Sequence, residues 1–392
     1  MPVTSLLFPA IVTILCLVVC EAIASGTPWY REHLGSLARG HFHSVDGLRG
    51  FLAIAVFFAH VVATWRSYAG VSSYSPFPPV HATLGQAGVA LFFMITAFLF
   101  WRRVLRSKDA FDARALYVSR LRRLVPMYAL SVALVVIVVA ALTGFAPQEP
   151  PLTILKELRA WLSFGFMSGQ DLNGVKDAHF INPVYWTLAY EWTFYLALPL
   201  LALFARGALF WFLVAAAVFF GIQAPLTLCF VCGVLAATAV ESRLLEGRLA
   251  KWWLAPVPLA AVAAVPAGFD TAYHPAPIAL LFVAFLFVVD GNTIFGLLRT
   301  RAAQLFGAVS YSFYLLHCIV LYVVFRIVDG AFPVAELTGG QHWAVAATAA
   351  LLALSLSAFT YRHLEYPFIA KRDAAPADPV PAPAAVARVP VA

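Results

Sequence analysis

The sequence predicts an all-α fold: a polytopic bundle of transmembrane helices, with about ten core helices and one extra apolar helix at the N-terminus. Hydrophobic residues make up 62% of the chain and charged residues only 11%, which is unlike a water-soluble domain. The 392 residues also contain many apolar runs of about 20 residues, the length that lets an α-helix cross a bilayer. We therefore expect a lipid bilayer around the chain. The net charge of +7 is expected to report membrane orientation, and no nucleic-acid partner is expected.

Eleven apolar runs are candidate spans, with boundaries soft by a few residues. They cover approximately residues 5–25, 48–66, 84–101, 118–142, 183–205, 207–222, 225–241, 252–268, 275–290, 303–328 and 342–361. No Lys or Arg precedes the first run, unlike a secretory signal, but the run ends in small residues that resemble a cleavage site. Retention of residues 1–25 is therefore left open.

Differences in composition predict three segments. Residues 1–43 form an N-terminal apolar helix with a short linker, and residues 44–370 form the membrane domain that carries the candidate chemistry. Residues 371–392 are rich in Ala, Pro and Val, which predicts a disordered tail. The five cysteines all lie in apolar runs, so we interpret them as small core residues and expect no bound metal ion.

Basic residues alternate between the loops. Residues 102–106, 114–123 and the segment after the last span are basic, whereas most of the loops between them carry little charge. Positive loops stay inside, so we expect the basic loops and the C-terminus to be cytoplasmic. The long segment 143–182 then lies outside, where Glu157–Phe166 is expected to form an interfacial helix with Trp161 as an anchor.

The stretch from Ser44 to His60 carries the first candidate site. Arg49 and His60 are eleven residues apart, so their side chains share one face of a helix. The helical rise places His60 about 16 Å deeper than Arg49, near the bilayer midplane, where an ionisable ring is a functional-site candidate. Ser44 or Asp46 is expected to cap the helix, and Arg49 with the free N–H groups would bind an anion. A structural histidine and a surface-anchoring arginine are the alternatives.

Glu191 is the most deeply placed acid. Counting from the ends of their spans, Glu191 and His60 both lie about two turns below the outer surface, so the two can meet at one level. A carboxylate beside an imidazole fixes the tautomer of the ring, which suits a general base. The alternative is a hydrogen bond that merely joins two helices.

Arg120 and Arg123 open another span on the cytoplasmic side. Their spacing puts both guanidinium groups on one helix face, where bidentate hydrogen bonds suit a phosphate or pyrophosphate. Together with Arg49 they predict a cytoplasmic site for a phosphate-bearing ligand. Alone, the pair is explained equally well as a basic anchor at the membrane surface.

Other residues in the spans are ambiguous. His317 lies well inside its span, where a packing role is at least as plausible as a catalytic one. Trp186 and Tyr195 could line an outer acceptor site, although such aromatic residues more often belong to the interface belt or the core. Glu365 is expected at the inner boundary, paired with Arg362 or another basic residue.

Six segments, taken together and in order, resemble the acyltransferase family 3 of integral membrane O-acyltransferases. They are DGLRGFLAIAVFFAH (46–60), GVALFFMITAFLFWRR (88–103), SRLRRLVPMY (119–128), YWTLAYEWTFYLALPLL (185–201), SYSFYLLH (310–317) and LEYPF (364–368). Each segment alone is a weak signal, and the set spans the predicted membrane domain.

The resemblance implies a role for each matching residue. The family's arginine and histidine, separated by ten residues, fall on Arg49 and His60, and its RxxR pair falls on Arg120 and Arg123. By this resemblance, His60 is the catalytic histidine. The three arginines would help to hold an acyl-CoA that enters from the cytoplasm.

The tryptophan and glutamate of the family's WxLxxE segment fall on Trp186 and Glu191. Two departures bear on substrate preference rather than on the type of reaction. Trp192 stands where a second acid is common, and Thr96-Ala97 replaces the usual Ser-Gly.

The expected function is a membrane O-acyltransferase of the bacterial inner (plasma) membrane. It would move an acyl group, expected to be acetyl, from cytoplasmic acyl-CoA to a hydroxyl of a cell-surface glycan or glycolipid, with no bound cofactor. His60 would act as a general base or carry the acyl group itself. The main alternative is a proton-coupled transporter or flippase of a lipid-linked sugar, with His60 and Glu191 as a proton relay. A sensor or scaffold with a structural histidine is the third hypothesis.

Overall fold

The computed structural model describes residues 2–37, 42–71, 77–107, 111–167, 169–205 and 207–370, and these residues are mainly helical. The helices are α1 (Leu7–Gly26), α2 (Pro28–Leu37), α3 (His43–Tyr68), α4 (Pro79–Arg106), α5 (Ala113–Leu142), α6 (Pro151–Trp161), α7 (Trp186–Leu203), α8 (Ala208–Gly221), α9 (Pro225–Glu241), α10 (Pro256–Gly268), α11 (Pro275–Val289), α12 (Arg301–Ala308), α13 (Ser310–Asp329), α14 (Gly339–Thr360) and α15 (Tyr366–Ala370). A π-helical turn, Tyr361–Glu365, joins α14 to α15. The predicted tail, 371–392, lies outside the described residues.

The long apolar helices confirm the predicted all-α polytopic bundle. Within the described ranges, six helices are long and apolar enough to cross a membrane: α1, α3, α4, α5, α13 and α14 with its extension to Ala370. Shorter apolar helices cover Phe210–Gly221, Pro225–Glu241, Trp252–Gly268 and Pro275–Val289. The predicted run 303–328 is divided at Val309, which separates α12 from α13.

Helices α3 and α4 approach each other closely at the centre of the bundle. A Cβ atom at Gly88 would lie 2.8 Å from the Leu52 carbonyl oxygen, and one at Gly85 would lie 2.7 Å from the Ala59 Cβ. Glycine lets the backbones of membrane helices come this close, because no side chain separates them. This contact holds α3, which carries Arg49, tightly against α4.

The N-terminal helices pack on the outside of α14. The Trp343 indole donates a hydrogen bond to the Val3 carbonyl over 2.7 Å, and the Tyr30 hydroxyl donates to the Ala358 carbonyl over 2.6 Å. His33 lies 2.9 Å from the Tyr361 hydroxyl, and its burial lowers the pKa of the ring. The proposed boundary at residue 43 stays a prediction.

The segment between α5 and α7 enters the bundle. Trp161 is 3% exposed and its indole donates to the Asp171 carbonyl, so its predicted role as a surface anchor is wrong. The predicted helix, Glu157–Phe166, forms earlier, as α6. The Asn182 amide donates over 2.9 Å to the carbonyl of Leu315, in the second turn of α13. Helix α7 therefore begins inside the bundle rather than at its surface.

Candidate active site

The three predicted phosphate-binding arginines lie at one end of the bundle, where α3, α5 and α13 begin and α14 ends. We call it the arginine-rich end. The Arg123 guanidinium lies 3.9 Å from Glu365 Oε1, and the Ser312 hydroxyl donates to Glu365 Oε2 over 2.9 Å. Glu365 is fully buried and belongs to the π-helical turn, a local geometry that is frequent at functional sites. The basic partner of Glu365 thus comes from another helix and not from neighbouring Arg362.

The arginines keep hydrogen-bond donors that protein groups do not occupy. A separation of 3.9 Å is too long for a hydrogen bond, and Glu365 Oε1 has no such partner in the described part of the chain. Arg120 Nε is buried and also lacks one there, while its guanidinium lies over the Phe100 ring at 4.7 Å. Since each guanidinium has five N–H donors, the cluster can bind oxygen atoms of a ligand.

Arg49 connects the arginine-rich end to a polar cavity of about 60 Å³. Glu191 faces Arg49 across this cavity, and the guanidinium also interacts electrostatically with Asp46 and Glu365. The other polar lining residues are Thr187, Ser310, Tyr311 and Tyr314. A site with both signs of charge and several hydroxyl groups can orient a polar ligand inside an otherwise apolar bundle.

The start of α3 differs from its prediction. The helix begins at His43, and neither Ser44 nor Asp46 caps it, because the N-cap position is Phe42 without a side-chain bond. The Ser44 hydroxyl instead donates to the Val288 carbonyl over 2.6 Å. Arg49 consequently lies in the second helical turn, beyond the N–H groups that lack intrahelical partners. Its anion-binding capacity must come from the guanidinium itself.

Glu191 and His60 do not lie at one level. The Thr96 hydroxyl donates to Glu191 Oε1 over 2.8 Å, and Glu191 shares its cavity with Arg49, which is about three helical turns from His60 along α3. The predicted shared depth is wrong because α7 begins inside the bundle, which moves Glu191 towards the arginine-rich end. The threonine that departs from the family pattern is thus the hydrogen-bond donor to Glu191.

His60 lies instead beside a second histidine. The ring centroids of His60 and His317 are 5.4 Å apart, and Cys318 Sγ is 3.2 Å from His317 Nε2. His317 Nδ1 is 3.1 Å from the Phe313 carbonyl oxygen. We call His60, His317 and Cys318 the histidine centre. Their candidate ligand atoms lie within 4.8 Å of one another, so they could also hold a metal ion, which the sequence analysis did not anticipate.

The two aromatic candidates do not form one acceptor site. Tyr195 is 2% exposed and interacts with the Arg120 guanidinium, which places it at the arginine-rich end. Trp186 is 39% exposed and packs edge-on against Tyr190, with ring centroids 5.7 Å apart. Of the pair, only Trp186 is accessible to an acceptor from the surface.

Sequence reasoning missed the hydroxyl groups that hold the acids and tyrosines. Ser312 bonds to Glu365, Thr96 bonds to Glu191, and Thr187 lies 3.0 Å from the Tyr314 hydroxyl. Hydroxyl residues are common in membrane helices because they can bond to their own backbone, so their presence alone is a weak signal. The i, i+4 spacing of Thr187 and Glu191 was a usable signal, since it puts both on one helix face.

One further charged group lies in the segment between α6 and α7. The Asp171 carboxylate accepts hydrogen bonds from Lys176 Nζ over 3.0 Å and from the Asp177 backbone N–H over 2.9 Å. These bonds hold the pKa of Asp171 below its ordinary value of 3.8. The group is exposed and stabilises a turn, and it belongs neither to the arginine-rich end nor to the histidine centre.

Comparison with known proteins identifies the family. Residues 42–362 match the family described as an acyltransferase domain. The chain is 29% identical over 330 residues to Nodulation protein 10 of Rhizobium leguminosarum bv. viciae, a match that covers 74% of this chain and 85% of that protein. No solved structure matches the chain significantly. Because the family match includes most of the described helices and both clusters above, this multi-pass membrane protein belongs to acyltransferase family 3.

Proposed function

We propose that the protein transfers an acyl group, in the simplest case acetyl, from cytoplasmic acyl-CoA to a hydroxyl of a cell-surface glycan or glycolipid. One observation carries this proposal. Arg120, whose buried Nε has no hydrogen-bond partner in the described part of the chain, lies with Arg123 and Arg49 at the arginine-rich end, and Arg49 shares α3 with His60. Donor binding and chemistry would then be about 16 Å apart along one rigid helix.

The arginine-rich end suits the phosphate groups of the donor. Guanidinium groups bind phosphates in bidentate fashion, and Arg49, Arg120 and Arg123 come from two helices that converge there. The basic loops support a cytoplasmic location for this end and for the C-terminus, in a bacterial plasma membrane. The charged donor would therefore bind without crossing the bilayer.

We infer that the donor widens the small polar cavity and follows it from the arginines towards the histidine centre. Tyr311 and Tyr314 line it, and the Tyr314 ring lies 5.9 Å from the ring of His317. The uncharged arm of the donor can follow this face of α13, which brings the thioester near His60. Glu191 acts in this cavity as a positioning residue, because its carboxylate faces Arg49.

His60 supplies the base. It removes the proton from the acceptor hydroxyl, whose oxygen attacks the thioester carbonyl, and the proton then goes to the departing thiolate. His60 is only partly buried, and no carboxylate lies against it in the described part of the chain, so a neutral ring can accept that proton. The acceptor enters from the opposite end of the bundle, and Trp186, at the start of α7, offers an exposed stacking surface for a sugar ring.

The proposal is tested with membranes from cells that contain wild-type or His60→Ala protein at equal abundance. Acetyl-CoA labelled on the acetyl group is supplied, and base-labile label is followed into envelope glycans. We expect label with the wild type and loss of label with the variant, and the labelled fraction identifies the acceptor. Equal label in both would remove His60 from the mechanism. Absence of label in both would refute the acetyl-CoA assignment and favour the transporter hypothesis.

A further inference from the structure

We propose that Cys318 is an acyl-carrying nucleophile, so that the transfer proceeds through an acyl-cysteine intermediate. This inference rests on the proposed function, because it needs an acyl thioester as donor. It assigns the first chemical step to Cys318 and His317 and leaves the second to His60. The three groups are those of the histidine centre.

The hydrogen bonds around His317 fix which nitrogen carries the proton. A backbone carbonyl can only accept, so Nδ1, which is 3.1 Å from the Phe313 oxygen, must be the N–H donor. Nε2 is then an acceptor, and the Cys318 thiol faces it at 3.2 Å as the donor. The arrangement contains a nucleophile, a base and a group that orients the base, the pattern that activates thiols in covalent catalysis.

The position of Cys318 connects it to the polar cavity. Tyr311, Tyr314 and Cys318 are spaced by three and four residues, so they share one face of α13. The two tyrosines line the cavity, and Cys318 lies one turn beyond them, away from the arginine-rich end. A thioester that follows this face from the arginines reaches Cys318. Cys318 is 5% exposed, and this burial protects an acyl-cysteine from water.

Cys229, another buried cysteine, shows what a structural thiol looks like in this protein. Cys229 is fully buried, and its thiol lies 3.7 Å from the Pro225 carbonyl of its own helix, a contact that leaves it inert. Cys318 differs because its neighbour is an imidazole nitrogen that can accept a proton. Cys229 is therefore a matched control.

The two steps balance without an added reagent. In the first, His317 Nε2 takes the thiol proton, Cys318 Sγ attacks the thioester carbonyl, the bond from that carbonyl to the CoA sulfur breaks, and the CoA thiolate takes the proton from His317. In the second, His60 takes the proton of the acceptor hydroxyl, its oxygen attacks the acyl-cysteine, and the Cys318 thiolate leaves and is reprotonated from His60. Nothing is oxidised or reduced.

A covalent intermediate also solves a geometric problem of this membrane protein. The proposed donor binds at the arginine-rich end and the acceptor enters from the opposite end. If Cys318 carries the acyl group, the two substrates need not occupy the histidine centre together. The CoA product can leave before the acceptor binds, which predicts ping-pong kinetics.

The test uses purified full-length protein with acetyl-CoA labelled on the acetyl group and no acceptor. After acid quenching, covalent label that neutral hydroxylamine releases is counted, and peptide mass spectrometry locates it. We expect up to one label per chain, on Cys318, in wild type and in Cys229→Ser. Label should be lost in Cys318→Ser and Cys318→Ala. It should persist in His60→Gln, because that variant cannot complete the second step.

The results separate this inference from the proposed function. Transfer to envelope glycans is measured in parallel in native membranes. If Cys318→Ala transfers acetyl at the wild-type rate, the acyl-cysteine is refuted and the proposed function stands. If the wild type shows neither covalent label nor transfer, both are refuted. Stoichiometric zinc in the purified protein would show that Cys318 is a metal ligand rather than a nucleophile, and would overturn the inference. Should the Cys318 variants not fold, label mapped to Cys318 in His60→Gln supports the inference, and absence of that label overturns it.

Discussion

The arginine-rich end and the histidine centre lie on the same helices but are built differently. At the arginine-rich end, Arg123 and Glu365 are an ion pair with hydrogen-bonding capacity left over. At the histidine centre, the groups are uncharged hydrogen-bonding partners that face one another closely. Glu191, which the sequence analysis assigned to the histidine, belongs to the arginine-rich end.

This difference suggests that the two regions have separate functions. Unsatisfied guanidinium donors lose little by binding a charged ligand, because the desolvation of the arginines has already occurred in the fold. Among the described residues the histidine centre contains no carboxylate that would stabilise a protonated imidazole, and the neutral ring is the form that accepts protons. The first region is suited to binding, and the second to proton transfer.

The largest effect is expected at His60. Replacement by Gln removes the proton acceptor while keeping a polar side chain, so transfer should fall by about 10²- to 10⁴-fold. His342→Gln is the matched control, since His342 is fully buried and lies 3.3 Å from the Val61 carbonyl but does not belong to the histidine centre. The acyl transfer rates of both variants, measured at matched abundance, test this prediction. If His60→Gln transfers acyl groups as fast as the control, the proposed separation of donor binding from proton transfer is wrong.

The next effect is expected at Arg123. Alanine there leaves Glu365 buried without its partner, which should lower the free energy of unfolding by about 3 kcal/mol and raise the KM for the donor. Glu365→Gln added to this variant should restore stability but not the KM. Thermal unfolding and donor titrations separate the two effects.

The control for Arg123 is Arg102, which lies at the same end but pairs with Glu241 rather than with Glu365. Arg102→Ala should leave the KM for the donor unchanged. If the two alanine variants raise that KM equally, general positive charge, rather than the cluster, binds the donor.

A smaller effect is expected at Thr96. Valine there removes the donor to Glu191 and leaves a buried acceptor without its partner, at a cost of about 1–3 kcal/mol. Thr83→Val on the same helix is the comparison, because the Thr83 hydroxyl bonds only to carbonyls of its own helix, at Pro79 and Val80. Denaturation in detergent measures both. Equal losses of unfolding free energy in the two variants would show that the Thr96–Glu191 hydrogen bond contributes no more than a bond within one helix.

The smallest effect is expected at Asp171. Its pKa is lowered on folding, so its contribution to stability is present above its ordinary value of 3.8 and is lost as the pH falls through the lowered value. Asp171→Asn should therefore reduce stability slightly at neutral pH and no longer at strongly acidic pH, with transfer unchanged. Unfolding curves at several pH values check the sign. A change in the acyl transfer rate would show that this turn contributes to the active site.

Sequence patterns were sufficient wherever one helix decides the geometry. The relation of Arg49 to His60 follows from helical periodicity, and so does the shared face of Arg120 and Arg123. Composition alone predicted the bundle, because a bilayer requires apolar helices that satisfy their own backbone groups. These inferences involve no contact between distant parts of the chain.

Contacts between helices could not be predicted from the sequence. The depth of Glu191 in the bundle depends on how far the chain before α7 enters it. The Asn182–Leu315 hydrogen bond fixes this depth, and it joins residues 133 positions apart in the sequence. His60 and His317 are likewise brought together only by the packing of α3 against α13. Hydropathy gives the length of a span but not where its polar residues find partners.

One measurement tests the division between binding and chemistry most directly. A non-reactive thioether analogue of acetyl-CoA is titrated onto purified wild-type, His60→Gln and Arg123→Ala protein, and its dissociation constants are compared with the rates of acetyl transfer from acetyl-CoA to the acceptor. We predict that His60→Gln binds the donor as tightly as the wild type but transfers almost none of its acetyl group, whereas Arg123→Ala binds it weakly. Donor binding that weakens equally in both variants, or undiminished transfer by His60→Gln, would contradict the account.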